Sequence, residues 1–173
     1  MEEDRKYIEA VLAGSQEAFE PLVEKYQRSV FFTALRFLRN QEEADDITQK
    51  AFLRAYQALG SFRFESSFKT WLTTIAVNLC KNVVRARRIM VEVPEALSDG
   101  SEERRQEAEE AGDRKSQLKK ALENLPERQK EVVMLRIYEE MPFKKIAEVL
   151  ESTETAVKVN FHHAMKSLKE WIQ

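Results

Sequence analysis

The sequence predicts an all-α protein made of two small helical domains that an acidic linker joins. Glycine and proline number only four each among 173 residues, which favours few turns and long elements. Apolar residues recur at steps of three and four over most of the chain, as they do on one face of an α-helix. The predicted linker, residues 92–115, has nine acidic and four basic residues and too few apolar ones to form a core. A charged, solvated helix over residues 102–111 is the alternative for part of it.

The first domain, predicted over residues 1–91, contains four expected helices. Ser15 is expected to cap the second helix, and Pro21 lies early enough in that helix to be tolerated. The predicted bounds are Asp4–Ala13, Ser15–Arg39, Gln41–Leu59 and Phe68–Arg88. The third and fourth helices each carry an apolar stripe that is predicted to face the core. These stripes are Ala44, Ile47, Ala51, Ala55 and Leu59 in the third helix, and Phe68, Leu72, Ile75, Leu79 and Val83 in the fourth.

The second domain, predicted over residues 116–173, ends in a helix-turn-helix. One helix is expected to end before Pro126, and the next covers Glu127–Tyr138. A short helix over Pro142–Leu150, a turn at Glu151–Thr153 and a long helix over Glu154–Ile172 follow. A short helix, a tight turn and a longer helix are typical of DNA-binding helix-turn-helix domains. We expect this domain to be winged-helix-like but wingless.

Positive charge is concentrated in one stretch of an otherwise acidic protein. Residues 61–91 carry six basic residues and one acidic residue, whereas the whole chain has a net charge of −2. A local basic patch is a candidate surface for phosphate groups. The fourth helix also has a polar stripe, whose amide and guanidinium groups can bind base edges and phosphates. That stripe is Trp71, Thr74, Asn78, Asn82 and Arg85. A solvated helix face beside a buried tryptophan is the alternative.

The loop before the fourth helix, predicted over Gly60–Ser67, mixes aromatic and basic side chains. The segment GSFRFESSFKTW places Phe62, Phe64, Phe68 and Trp71 among Arg63 and Lys69. Aromatic rings beside cations can stack an unpaired base and hold its phosphate. The alternative is that the rings anchor the loop to the core. For Phe68 and Trp71 we favour that alternative, and for Phe62 and Phe64 both functions stay open.

Two other helix faces are candidate binding surfaces. The outer face of the third helix lies outside the core stripe and includes a phenylalanine among charges, which suggests docking to another protein. Its residues are Asp45, Asp46, Gln49, Lys50, Phe52 and Arg54. The last helix is expected to bury Val157, Phe161, Ala164, Leu168 and Ile172, which leaves another set of residues available to a DNA major groove. That set is Glu154, Thr155, Lys158, Val159, His162, His163 and Lys166.

The composition gives no support to catalysis, a metal or a cofactor. The chain has one cysteine and two histidines, too few for a zinc site, and His162 and His163 are adjacent and so do not share a helix face. The four glycines are scattered singly, so no phosphate-binding loop is predicted. A single cysteine, Cys80, favours a reducing, intracellular setting, and no stretch is apolar enough to cross a membrane. We therefore expect a cytoplasmic protein that is not an enzyme.

Several segments together resemble the extracytoplasmic-function (ECF) sigma factors of bacterial RNA polymerase. These segments are AFEPLVEKY, EEADDITQKAFLRAYQAL and SFRFESSFKTWLTTIAVNLCKN in the first domain, and LENLPERQKEVVMLR with the helix-turn-helix in the second. The resemblance implies that the first domain is sigma region 2 and the second is sigma region 4. It also implies a cytoplasmic bacterial protein that binds core RNA polymerase and promoter DNA, with an anti-sigma factor as a further partner.

The resemblance assigns roles to the candidate surfaces. Core polymerase would be bound by Asp45, Asp46, Gln49, Phe52 and Arg54. The −10 promoter element would be recognised and melted by Phe62, Arg63, Phe64, Lys69, Trp71, Thr74, Asn78, Asn82, Arg85 and Arg88. The −35 element would be recognised by Glu154, Thr155, Lys158, Val159, His162, His163 and Lys166. The linker would enter the nucleic-acid channel of the polymerase.

The chain departs from the family pattern at several positions. Asn82 stands where the family usually has aspartate, Lys50 where it has an acidic residue, and Glu151 where it commonly has glycine. The recognition helix has few arginines, with Asn160, His163 and Met165 in such places, which affects its sequence preference. Two other functions stay open: a helix-turn-helix regulator that acts without polymerase, and a helical adaptor that binds only proteins.

Overall fold

The computed structural model describes residues 2–91 and 120–172, and all regular secondary structure within these ranges is helical. The chain forms two compact units, Met1–Met90 and Val91–Gln173. The predicted linker, residues 92–115, lies outside the described residues, as does the beginning of the helix that leads to Pro126. The predicted all-α class is confirmed.

The first unit contains four α-helices and two short 3₁₀ turns. Helix α1 covers Glu2–Leu12, α2 Glu20–Leu38, α3 Gln41–Ala58 and α4 Phe68–Val91. The 3₁₀ turns cover Gln16–Phe19 and Leu59–Ser61. Asn40 begins α3 by accepting a hydrogen bond from the Glu43 amide, at 3.1 Å. The predicted helices of this domain are all present, with ends that shift by a few residues.

The second helix starts differently from the prediction. Ser15 precedes the 3₁₀ turn, but its side chain makes no capping hydrogen bond, and the α-helix begins only at Glu20. Pro21 is the cause, because it has no N–H to bond to the carbonyl four residues earlier and its ring crowds that carbonyl. The chain before the proline therefore adopts the tighter 3₁₀ form.

The predicted core stripe of α3 is confirmed, because all five of its residues are buried. The stripe of α4 is wider than predicted. Phe68, Leu72 and Leu79 are buried, whereas Ile75 and Val83 are half-buried. Other residues beside the stripe are buried as well, namely Thr73, Ala76, Val77 and Cys80.

The second unit contains the predicted helix-turn-helix. After helical residues 120–123 come α5 over Glu127–Val133 and a π-helical turn over Met134–Tyr138 that continues it. Helix α6 covers Phe143–Val149 and α7 covers Glu154–Ile172. The expected inner face of α7 is buried at Val157, Ala164 and Leu168 and half-buried at Phe161, while the side chain of Ile172 lies outside the described residues.

Two helices end in the same hydrogen-bond pattern, but only one of them uses glycine. At the end of α1, Gly14 has φ 107°, and Ser15 N–H donates to the Ala10 carbonyl at 3.0 Å. At the end of α6, Glu151 has φ 52°, and Ser152 N–H donates to the Ala147 carbonyl at 2.9 Å. This cap requires a left-handed residue, which glycine adopts without strain and which costs other residues about 1–2 kcal/mol. The turn of the helix-turn-helix is therefore strained at Glu151.

We predict that Glu151→Gly stabilises the second unit. The relieved strain, less the greater entropy of glycine in the unfolded chain, leaves a gain of roughly 0.5–1 kcal/mol. Hydrogen exchange of the α6 and α7 amides in the full chain measures the change. Glu151→Ala is the matched control, since it removes the same side chain but keeps the Cβ atom. Equal protection in both variants would contradict the strain argument.

Candidate nucleic-acid interface

The aromatic loop, residues 60–67, is anchored by one of its two phenylalanines. The ring of Phe62 is 7% exposed and lies 5.0 Å from the Trp71 ring and 6.0 Å from the Phe68 ring, measured between centroids. Phe62 therefore belongs to the core, which supports the alternative that it anchors the loop, and its contact with a base stays a prediction. The physical reason for its burial is that three neighbouring rings already surround it, so its apolar area is removed from water without DNA.

Phe64 is the ring of this loop that faces solvent. It is 39% exposed, its backbone is left-handed with φ 57°, and its ring lies 4.8 Å from that of Phe62. The guanidinium carbon of Arg5 lies 5.1 Å from the centre of the Phe64 ring. Arg63, next to it in the sequence, is exposed. An accessible ring beside two cations is suited to stacking a base and holding its phosphate.

A cavity of about 240 Å³ lies beside the aromatic loop. The rings of Phe62, Phe64 and Phe68 form part of its lining, together with Ser66 and Ser67. Ser67 also begins α4, because its hydroxyl accepts from the Thr70 amide at 3.1 Å. The loop and the start of α4 therefore enclose a space with aromatic walls and hydroxyl groups.

The polar stripe of α4 is open to solvent along most of its length. Asn78, Asn82 and Arg85 are exposed, whereas Trp71 and Thr74 are half-buried. The Thr74 hydroxyl donates to the Thr70 carbonyl at 2.8 Å, so its oxygen can only accept from a ligand. Lys69 is half-buried, and the side chain of Arg88 lies outside the described residues. The structure thus presents two amides and one guanidinium on the same helix face.

Arg87, which belongs to the same basic stretch, is engaged inside the first unit. It donates to the Leu38 carbonyl at 3.3 Å and contacts the Glu43 carboxylate. It therefore joins the end of α2 and the start of α3 to α4. The sequence offered no sign of this, because the two partners lie more than forty residues away along the chain.

The outer face of α3 is exposed, with one correction. Asp45, Asp46, Gln49, Lys50 and Arg54 are all exposed. Phe52 is 7% exposed, and its ring packs against that of Phe19 at 6.4 Å, so the prediction that it is an exposed docking residue is wrong.

Leu53 takes the place that was predicted for Phe52. It is 58% exposed and lies seven residues after Asp46, so it shares the outer face. The inward face of α3 is broad enough to include residue 52 next to residue 51, which the narrower predicted stripe did not show. The Asp46 carboxylate also accepts from the Lys50 ammonium at 2.5 Å, a pair between exposed side chains that adds little stability.

Helix α7 exposes every residue that was predicted to meet the −35 element. These are Glu154, Thr155, Lys158, Val159, His162, His163 and Lys166. Glu154 and Lys158 form an ion pair at 2.7 Å. Thr153 caps the helix by accepting from the Ala156 amide at 3.1 Å. Apolar groups are also accessible on this helix, since Val159 is 48% and Met165 is 42% exposed.

A buried carboxylate attaches α1 to α2. Asp4 is 5% exposed and accepts hydrogen bonds from the Lys25 ammonium and the Tyr26 hydroxyl, both at 2.7 Å. Burial by itself raises the pKa of Asp4, but the hydrogen bonds from Lys25 and Tyr26 outweigh it and hold that pKa below 3.8. Burial and the bond to Asp4 raise the pKa of Tyr26 to about 12. Sequence analysis missed this cluster because its partners are 21 and 22 residues apart.

The described part of the chain holds no cluster of histidine, cysteine, aspartate and glutamate side chains that would bind a metal ion. Burial raises the pKa of the Cys80 thiol to about 12, which keeps it protonated and unreactive. Among residues 2–91 and 120–172, no helix is long and apolar enough to cross a membrane.

An exposed amide and guanidinium stripe on one unit and a helix-turn-helix on the other define a two-part nucleic-acid-binding protein. The family model of sigma-70 region 2 matches residues 22–89, and that of sigma-70 region 4 matches residues 115–168. The chain is 33% identical to the RNA polymerase sigma-H factor of Pseudomonas aeruginosa, over 99% of this chain and 95% of that protein. It is 32% identical to the ECF RNA polymerase sigma-E factor of Haemophilus influenzae, over 98% and 95% respectively. The chain belongs to the ECF sigma factors.

The fold is similar to that of a solved sigma factor. This is RpoE of Bartonella quintana, crystallised with the anti-sigma factor NepR, with a TM-score of 0.67 and 21% identity. The likeness covers 89% of this chain and 96% of that one. It supports the arrangement of helices described above.

We predict that Asp4→Asn destabilises the first unit by about 1–3 kcal/mol at neutral pH, because two donors lose a charged acceptor. A carboxylate with a lowered folded-state pKa stabilises the fold above its unfolded pKa, and this contribution disappears as pH falls through the folded pKa. The difference in free energy of unfolding between wild type and variant should therefore shrink in acid. Denaturant titrations at a series of pH values measure it, and Glu9→Gln serves as an exposed control. A difference that stays constant as pH falls would refute the assignment.

Proposed function

We propose that this sigma factor acts by binding alone: it directs core RNA polymerase to promoters, recognises two elements and opens the DNA at one of them. Residues 1–91 would form the −10 unit, residues 116–173 the −35 unit, and residues 92–115 the linker between them. The observation that carries this proposal is the exposed stripe of Asn78, Asn82 and Arg85 on α4, the helix that follows the loop with the exposed ring of Phe64. The protein would work in the bacterial cytoplasm, where its polymerase and promoters are.

The −10 unit offers groups for both base and backbone. An asparagine amide can make two hydrogen bonds to an adenine edge, and Arg85 can bind a phosphate. Moving a base out of the stack costs a few kcal/mol, and stacking on an aromatic ring returns about 1–3 kcal/mol. Phe64 and the cavity beside it provide that ring and a space for the base. Melting would then be driven by capture of the unpaired base, with no chemical step.

The −35 unit would place α7 in the major groove. Thr155 and His162 offer hydrogen-bonding groups there, and Lys158 and Lys166 offer charge for phosphates. Val159 is exposed and apolar, which suits contact with a thymine methyl group. This set has fewer cations than arginine-rich recognition helices. Its selectivity would therefore depend on contacts with base edges more than on charge.

Low cation content makes the polymerase necessary. Both units together carry a net charge of only +3, and non-specific DNA affinity depends on the number of phosphates that cations neutralise. Two weak DNA-binding units attached to one polymerase gain affinity from effective concentration. This argues against the alternative of a regulator that binds DNA by itself, for which tight gel-shift binding without polymerase would be expected.

Core polymerase would bind the outer face of α3 through Asp45, Asp46, Gln49 and Arg54. Leu53, which is 58% exposed, adds an apolar group to this face. An exposed apolar group with polar and charged neighbours fits an interface that has an apolar centre and a polar rim. We also propose that an anti-sigma factor controls the chain, as a comparable partner accompanies the Bartonella quintana sigma factor in its crystal structure.

We predict that Asn78→Ala with Arg85→Ala lowers run-off transcription on the order of 100-fold, because a bidentate base contact and a phosphate contact are lost together. Core polymerase and a promoter selected from a randomised library are used, and affinity for core polymerase should not change. Gln27→Ala with Arg28→Ala is the matched control, since it removes one exposed amide and one exposed guanidinium from α2. Wild-type transcription by the stripe variant would refute the proposed −10 surface.

We predict that Leu53→Ala and Asp46→Ala each weaken binding to core polymerase by about 5- to 30-fold, as expected for residues inside an interface. Neither should alter the stability of the first unit, because both side chains are exposed. Leu12→Ala, which removes a leucine that is 51% exposed on α1, is the control. Fluorescence anisotropy of labelled protein with core enzyme gives the affinities. If Leu53→Ala binds as well as Leu12→Ala, the α3 face is not the polymerase contact.

A further inference from the structure

Helix α1 forms one wall of the cavity beside the aromatic loop. Its lining includes Asp4, Arg5 and Ile8 of α1 together with Phe62, Phe64 and Phe68. The family model of region 2 matches residues 22–89, so α1 lies outside the matched segment. The cavity is therefore completed by an element to which the comparison assigns no role.

Helix α1 is anchored to the rest of the first unit by a buried side chain and by hydrogen bonds. Ile8 is 1% exposed and packs in the core of the first unit. Asp4 accepts from Lys25 at one carboxylate oxygen and from Tyr26 at the other. Both oxygens are thus engaged in attaching α1 to α2. Asp4 supports the cavity as a structural group, and its neighbour Arg5 is left to face the loop.

Arg5 connects α1 to the exposed ring of the loop. Its Nε donates to the Glu9 carboxylate at 2.8 Å, which orients the side chain along α1. Its guanidinium carbon lies 5.1 Å from the centre of the Phe64 ring, within the range of a cation–π contact. Phe64 has a left-handed backbone, which a bulky residue adopts only when its surroundings hold it there. Two side chains therefore contact the ring of Phe64: Phe62 from within the loop and Arg5 from α1.

We infer that α1 is part of the promoter-opening site: it closes the cavity that receives an unstacked nucleobase, and Arg5 is a positioning residue that holds Phe64 at the edge of that cavity. This inference depends on the proposed function. Aromatic walls, serine hydroxyls and a cation are the groups that bind a nucleobase with its attached phosphate. Without Arg5, the ring of Phe64 samples other orientations and captures the base less often.

The test follows the rate of promoter opening by the complete holoenzyme. A promoter obtained by run-off selection carries 2-aminopurine in its −10 element, and the fluorescence rise reports unstacking. Arg5→Ala should slow opening by about 2- to 5-fold, the range expected for an exposed cation–π contact. Lys6→Ala is the matched control, because it removes the same charge from the next residue of α1, which is exposed and does not line the cavity.

A double-variant cycle determines whether Arg5 acts through Phe64. Phe64→Ala should slow opening by about 5-fold or more, since a stacking surface is lost. In the Phe64→Ala background, Arg5→Ala should cause no further slowing. Equal effects of Arg5→Ala and Lys6→Ala would overturn the inference, because charge alone would explain them. A full additional effect of Arg5→Ala on Phe64→Ala would overturn it too.

The role of α1 and the proposed function can be refuted separately. A wild-type holoenzyme that starts transcription but opens DNA no faster than the Arg5→Ala holoenzyme refutes the role of α1 and leaves the proposed function intact. A wild-type chain that supports no transcription from any library member with core polymerase refutes the proposed function and the inference with it. Unchanged affinity of Arg5→Ala for core polymerase shows that the variant is folded.

Discussion

The packing of Tyr26 connects the elements that form the proposed DNA-facing side of the first unit. Its ring lies 5.8 Å from that of Phe68, the first residue of α4, and its hydroxyl donates to Asp4 on α1. Phe68 in turn contacts Phe62 of the aromatic loop and Trp71 of α4. One tyrosine on α2 therefore fixes the loop, the start of α4 and the wall of the cavity relative to one another. The exposed polar stripe depends on this, because α4 can present Asn78 outward only while its apolar side is held inward.

The sequence predicted those features that depend on local periodicity. The core stripe of α3, the start of α4 at Phe68 and the helix-turn-helix follow from residue spacing, and the structure confirms them. The predicted exposure of Phe52 was wrong, because Phe52 lies at the border of the inward face and is buried, while its neighbour Leu53 is exposed. For Phe62 the sequence left both functions open, since only the folded chain reveals which rings meet. The contacts of Asp4 with Lys25 and Tyr26 join distant parts of the chain, and no local pattern indicates them.

The two units recognise DNA under different constraints. In the first, Asn78, Asn82 and Arg85 lie further along α4 than the aromatic ring and the cavity at its start, so we propose that one element both captures a base and contacts the strand next to it. In the second, the accessible groups of α7 include Val159 and Met165 as well as histidines. Apolar contacts to methyl groups carry sequence information but little affinity, whereas phosphate contacts do the reverse. We therefore propose that a recognition helix of this composition selects a site that the polymerase has already brought near.

Two strained residues show how the same backbone conformation serves different ends. Glu151 and Phe64 both have left-handed backbones, at φ 52° and φ 57°. At Glu151 the hydrogen bonds of the helix cap are made by main-chain groups. The cap therefore does not need the glutamate side chain. At Phe64 the side chain supplies the ring that the proposed function uses. Glycine at this position would remove the strain but would also remove that ring. The contacts from Phe62 and Arg5 offset that strain in the free protein. The ring is therefore already oriented when a base arrives, and the loop needs no rearrangement to bind it.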